Sequence, residues 1–151
     1  MGSGLDRGGR RLKVAFVCVH NSYRSQVAEA LAGRFASTWF DGYSAGTELK
    51  PAINPDAVRL VREMYGIDMA SSQRPRLVSQ LPRIDVVVKM GCDVACPYLP
   101  GRYEEDWGLT DPTGRGDDEQ RAVIAEIERR VRDLAQRIAS GALLPERSPN
   151  L

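Results

Sequence analysis

One stretch constrains this chain more than any other: Leu12-Lys-Val-Ala-Phe-Val17, then Cys18-Val-His-Asn-Ser-Tyr-Arg24-Ser25, then Gln26-Val-Ala-Glu-Ala-Leu-Ala-Gly33. The first part is a nearly continuous apolar run, the pattern of a parallel strand buried on both faces. The last part begins a series of apolar residues at helical spacing, Val27, Ala30, Leu31 and Phe35, which predicts a helix with one face on a sheet. A tight loop between such a strand and helix gathers successive backbone N–H groups into a positive concavity. The helix start adds unpaired N–H groups and the positive end of its dipole. A tetrahedral oxyanion fits that cradle, held at Val19, His20, Asn21, Ser22, Tyr23 and Arg24, with the planar Arg24 fork clamping two oxygens. The same field favours thiolate over thiol at Cys18, since a free cysteine pKa of about 8.5 falls to roughly 3.5–7.5 at helix N-termini or beside cations. Ser25 is placed to donate one more hydrogen bond to the sulfur. The expectation is a nucleophile lying under a bound oxyanion.

The rest of the chain supplies the frame. Asp41-Gly-Tyr-Ser-Ala-Gly46 reads as a second strand, Ile84-Asp-Val-Val-Val88 as a third and Trp107-Gly-Leu109 as a brief fourth. Asn54-Pro55 pairs an N-cap with proline at the first helical position, opening a helix to about Tyr65 that Gly66 ends. Its inward face is Ala57, Val58, Leu60, Val61 and Met64. A shorter helix is expected over Ser71–Leu81, weakened by Pro75. From Glu119 the series Val123, Ile124, Ile127, Val131, Leu134 and Ile138 predicts a long amphipathic helix stopped near Gly141. Strands alternating with helices give an α/β fold: a single three-layer domain, a central four-stranded parallel sheet with helices on both faces. Ligands of such sheets sit beyond the carboxyl ends of the strands, where Cys18 falls.

At 151 residues without repeats or a composition break, the chain reads as one domain over 12–145 behind a disordered lead at 1–11. A net charge of +1 gives no case for nucleic acid or an anionic membrane surface. No apolar run approaches the roughly 18–20 residues that span a bilayer. Three cysteines, an odd number, argue against a secreted disulfide framework and for a reducing, cytoplasmic setting.

Two other places carry chemistry. Cys92 and Cys96 follow the third strand in Met90-Gly-Cys-Asp-Val-Ala-Cys-Pro97. If that stretch coils, four residues rise about 6 Å, inside the roughly 4.4–6.8 Å usual between bridged Cα atoms. Neighbouring parallel strands would bring Cys92 to the same edge as Cys18, and three thiols there permit a relay of disulfide exchange. Inert packing of both cysteines, or a Cys3His zinc site with His20, are the competing readings; the C-x2-C knuckle usual for zinc is missing. Gly91 and Pro97 point to a loop that can reorganise, which suits the relay. Asp111, in Trp107-Gly-Leu-Thr-Asp-Pro-Thr-Gly114, is either a turn opener or a carboxyl able to protonate a leaving oxygen. His20 is expected to act through its backbone N–H more than its ring, Asn21 to brace the loop, and Tyr23 to flank the pocket.

The string Cys18-x5-Arg24-Ser25 at a strand-to-helix junction resembles the signature of the low-molecular-weight tyrosine phosphatases and the thioredoxin-coupled arsenate reductases. The resemblance extends over nearly all of the chain after Arg11, through Ser44-Ala-Gly-Thr47, Met90-Gly-Cys92, Cys96-Pro97 and Trp107 to Gly114. The added cysteine pair and the Trp-Gly-Leu-Thr-Asp-Pro block look like the arsenate reductases. The resemblance implies that Cys18 attacks arsenate (phosphate or sulfate being analogues) while Asp111 protonates the departing oxygen. It implies that Cys92 then resolves the Cys18–arsenic adduct, that Cys96 attacks Cys92, and that thioredoxin reduces the final disulfide. The alternative it carries is a phosphatase that hydrolyses phosphotyrosine or small phosphoesters through a phosphocysteine. No cofactor is implied. Some members hold potassium beside the loop with an acidic residue after the second helix. Here Ser71-Ser-Gln-Arg-Pro-Arg76 has no carboxylate, so no tight potassium site and no other metal is expected. Glu29, which resembles another residue of that ion site, is then expected to pair with an arginine.

Overall fold

A computed structural model describes residues 11–48, 50–91 and 103–142. Cys92, Cys96, the lead before Arg11 and residues 143–145 lie outside the described residues. The elements run β1 (Lys13–Val17), α1 (Arg24–Phe35), β2 (Asp41–Ala45), α2 (Pro55–Tyr65), α3 (Met69–Ser72), a 3₁₀ turn (Val78–Gln80), β3 (Val86–Lys89), β4 (Tyr103–Asp106) and α4 (Asp117–Ala139). The four strands form one parallel sheet in the order β2-β1-β3-β4.

Alternation along β1 divides the core. Val14 and Phe16 join Val86 and Val88 under α1, α2 and α4, where Phe16 meets Phe40 and Trp107 at ring-centroid distances of 6.4 and 5.6 Å. Ala15 and Val17 face the other way with Val87 and Ile84, covered by Val78, Leu81 and Tyr43. Helical segments thus lie on both faces, the long helices on one and the 3₁₀ turn on the other. The α4 stripe Ile124, Ile127, Val131, Leu134 and Ile138 is buried, each side chain contributing about 1.5–3 kcal/mol of transfer free energy. On α2 the expected cap is present: Asn54 Oδ1 accepts from the Asp56 N–H at 2.8 Å, and Gly66 closes the helix at φ 72°. Ala57, Leu60 and Val61 are buried there, while Val58 and Met64 are only half-buried.

Three expectations need correction. The fourth strand is Tyr103–Asp106, and Trp107 follows it with its ring in the core. Its three consecutive carboxylates suggest a loop, but β4 is half-exposed and its charges have partners: Lys89 for Glu104 and Arg137 for Glu105. The helix expected over Ser71–Leu81 is instead one turn ending at Ser72, then extended chain, then the 3₁₀ turn. Pro75 lacks the N–H that a continuous helix needs. Arg11 is anchored and not part of a loose lead: its guanidinium reaches Asp41 and the carbonyls of Ser37 and Thr38.

Candidate active site

Strand β1 ends at Val17 between β2 and β3, so the chain leaves the sheet at a switch point and Cys18 opens the loop there. Asn21 alone among the described non-glycine residues has positive φ, 54°, the left-handed region that asparagine tolerates best. That bend is fixed from inside. Asn21 Oδ1 accepts from the Arg76 N–H at 2.9 Å and from Gln26 Nε2 at 3.0 Å. Its Nδ2 donates to Ser25 Oγ at 2.8 Å, and Ser25 Oγ lies 3.0 Å from Cys18 Sγ. When Cys18 is a thiolate it can only accept, and the Ser25 hydroxyl is then the donor of that bond. Cys18, Asn21, Ser25 and Gln26 are all buried.

The loop carbonyls are drawn outward: Val19 O accepts from the N–H of Thr47 and Glu48, and Ser22 O from that of Asn54. Among the described residues, none accepts from the backbone N–H groups of Val19 to Arg24. Behind the loop sits Gly46, where a Cβ would lie 2.5 Å from Val19 O and 2.8 Å from Cys18 O. Only glycine fits between β2 and the loop. Arg24 caps the cradle, its Nη1 donating to Met90 O and Leu109 O at 2.8 Å each. Gly91 makes this crossing possible: its φ is 91°, and a Cβ there would lie only 2.4 Å from Leu109 O. Its role is thus close approach, beyond the flexibility that the sequence suggests.

A pocket of about 640 Å³ collects Cys18, Val19, His20, Ser22, Tyr23 and Arg24 on one wall and Gly91, Leu109, Thr110, Asp111 and Thr113 on the other, with Lys50 and Asn54 at the side. Every described residue of the expected constellation except buried Asn21 and Ser25 lines it, and those two brace it from behind. Asp111 accepts from the Thr113 N–H at 3.0 Å. Burial pushes its carboxyl up, but the hydrogen bonds from Thr113 and the positive field of Arg24 outweigh that and hold it below the usual aspartate range. His20 turns its ring outward to Glu48, 3.0 Å away at the exposed rim. Tyr23 is buried and donates to Gln120 Oε1 at 2.6 Å; burial first, then the charge of Asp56, pushes its phenol up.

Several working residues are not apparent from the sequence. Gly46, Gln120 and the carbonyls of Met90 and Leu109 act only through tertiary approach. Gln73, beyond α3, donates to the carbonyl and Oε1 of Gln26 at 3.0 and 2.8 Å. Glu29 takes the hydroxyl of Ser44, and among the described residues no arginine pairs with it directly. Burial pushes its carboxyl up, and the Ser44 bond and the nearby Arg76 charge do not offset it.

Residues 13–142 match the low molecular weight phosphotyrosine protein phosphatase family. The chain belongs to that family. Within it, this member is 37% identical over 135 residues to an arsenate reductase of Halalkalibacterium halodurans, covering 82% of this chain and 94% of the relative. Among solved structures, an arsenate reductase from Archaeoglobus fulgidus superposes with a TM-score of 0.71 at 34% identity, covering 82% of this chain and 98% of the other. A thioredoxin-dependent arsenate reductase of Corynebacterium glutamicum does so with a TM-score of 0.67 at 32% identity, over 86% of this chain and 63% of that one. No helix among the described residues is long and apolar enough to cross a membrane.

Proposed function

We propose that this family member reduces arsenate to arsenite, using electrons that thioredoxin supplies through a cysteine relay. The observation that carries the reading is one pocket in which a buried sulfur, an arginine and a carboxyl converge at the end of β1, with the Ser25 hydroxyl 3.0 Å behind the sulfur. The relatives' activity as arsenate reductases supports the substrate, and the thioredoxin dependence of one supports the reductant.

The cradle amides of residues 19–24 and the Arg24 fork hold the oxyanion with arsenic over Cys18 Sγ. The Cys18 thiolate attacks arsenic, a sulfur–arsenic bond forms, and one arsenic–oxygen bond breaks. Ser25 stabilises the sulfur's charge before attack. Asp111 is ionised in the empty pocket at neutral pH, so the proton that leaves with the oxygen arrives with the protonated arsenate and is held between substrate and carboxyl. Cys92 then attacks Cys18 Sγ. The sulfur–arsenic electron pair passes to arsenic, As(V) becomes As(III), arsenite departs and a Cys18–Cys92 disulfide remains. Attack by Cys96 on Cys92 frees Cys18 and leaves Cys92–Cys96, which thioredoxin reduces with two electrons. A thiol-reducing compartment such as the cytoplasm fits this cycle.

The test is arsenate-dependent NADPH consumption with thioredoxin and thioredoxin reductase supplied. Cys18→Ser should abolish it. Cys92→Ser and Cys96→Ser should each stop it while leaving hydrolysis of an aryl phosphate largely intact, because water can resolve a phosphocysteine but no water can reduce arsenic. Undiminished NADPH consumption in both variants would sink the relay.

A further inference from the structure

One buried amide joins both walls of the pocket without facing it. Gln120, in the first turns of α4, is 1% exposed and uses its whole side chain. Its Nε2 donates to the Arg115 carbonyl at 2.7 Å and to Asp56 Oδ2 at 3.1 Å. Its Oε1 accepts the Tyr23 hydroxyl at 2.6 Å. The Arg115 carbonyl and the Asp56 carboxylate can only accept, so the amide has a single orientation and Tyr23 must be the donor.

The three partners belong to different parts of the site. Tyr23 closes the oxyanion loop and precedes α1. Asp56 lies in the first turn of α2, next to the Asn54–Pro55 cap. Arg115 ends the loop that carries Asp111. Between Asp111 and Arg115 the chain makes two linked turns, Asp111 Oδ1 accepting from the Thr113 N–H and Pro112 O from the Arg115 N–H. Residues 113–116 and Asp111 itself are exposed, and within 111–116 only Pro112 is buried. The inward Arg115 carbonyl is the second anchor of this loop, and Gln120 holds that carbonyl against the hydroxyl of Tyr23.

We propose that Gln120 is a positioning residue for the proton-transfer step: it ties the Arg115 carbonyl to Tyr23 and thereby sets Asp111 relative to Cys18. This rests on Asp111 acting at the leaving oxygen. The experiment is a double-mutant cycle on arsenate turnover with wild type, Gln120→Leu, Asp111→Asn and the double variant. Gln120→Leu should lower kcat roughly tenfold, part of the 10²–10⁴ that a placed acid or base contributes, and hold KM within about twofold. Alkylation of Cys18 by iodoacetamide, followed on its own peptide by mass spectrometry, should proceed at the wild-type rate. In the Asp111→Asn background, Gln120→Leu should cost less than about twofold more, because the group it places is gone. A full tenfold loss repeated in that background overturns the proposal and leaves the acid role standing. Unchanged kcat in Gln120→Leu also overturns it. Unchanged kcat in Asp111→Asn removes the acid role and the proposal together. If Gln120→Leu does not fold, Gln120→Glu, which keeps the acceptor for Tyr23 and loses the two donated bonds, goes through the same cycle, and the same outcomes support or overturn the proposal.

Discussion

The two walls of the pocket are built from different materials. The Cys18–Ser25 wall is braced by neutral groups: the amides of Asn21, Gln26 and Gln73, the Ser25 hydroxyl, and carbonyls bound to backbone N–H groups. The opposite wall hangs from carboxylates at the end of β4. Asp106 Oδ1 accepts from the N–H groups of Gly91 and Gly108 at 3.0 and 2.8 Å. Glu105 accepts from Trp107 Nε1 and Tyr103 and holds Arg137 bidentately at 2.9 Å to each nitrogen. A wall of amides keeps its donor pattern across the pH range, whereas a wall of carboxylates loses acceptors when it is protonated. The groups that brace the sulfur from behind are therefore neutral amides and a hydroxyl, whereas Asp111 shares its wall with carboxylates.

The contrast breaks most completely at its chemical centre. Asp111→Asn keeps the turn acceptor for Thr113 but cannot handle a proton, and kcat for arsenate should fall on the order of 10²-fold or more in the coupled assay. Next comes the neutral wall. Asn21→Ala removes a buried amide that serves Ser25, Gln26 and Arg76 and puts a methyl-bearing residue at φ 54°. Urea unfolding should show a loss of about 1–3 kcal/mol, and the loss should be the same across moderately acid and neutral pH, since no titrating group is touched.

The smallest effect sharpens the contrast through pH. Burial pushes Glu105 up, but hydrogen bonds from Arg137, Trp107 and Tyr103 together outweigh it and hold its carboxyl at about 2. A folded-state value below the unfolded one means that the ionised form stabilises the fold. That contribution is complete above the ordinary value of 4.5 and is lost as pH falls through about 2. Glu105→Gln should be less stable than wild type by on the order of 1 kcal/mol at neutral pH, with the gap closing as pH drops across that window. Thermal melts at several pH values measure this. A gap independent of pH would show that the β4 wall is not held by charge.

What could be read from the chain follows from how local each device is. The Cys18–Ser25 loop was legible because nest, nucleophile, clamp and helix start are contiguous. The α2 cap was legible because Asn54, Pro55 and Gly66 act on their own helix. Strand β4 was misplaced because Tyr103-Glu-Glu-Asp106 becomes a strand only once Lys89 and Arg137 neutralise it from other elements. Gln120 was invisible because its partner Tyr23 lies 97 positions away. Gly46 likewise gains its meaning from a carbonyl on a different strand's exit.

That glycine has one more consequence. With Gly46 wedged behind the loop, the cradle is already shaped when empty, and an incoming anion need not bear the entropy of assembling it. A rigid ring of amides reads only shape and charge, which arsenate, phosphate and sulfate share. In the proposed cycle, discrimination then falls after docking, at the step where a second thiol would draw the bound atom down by two electrons, which arsenic accepts and phosphorus refuses.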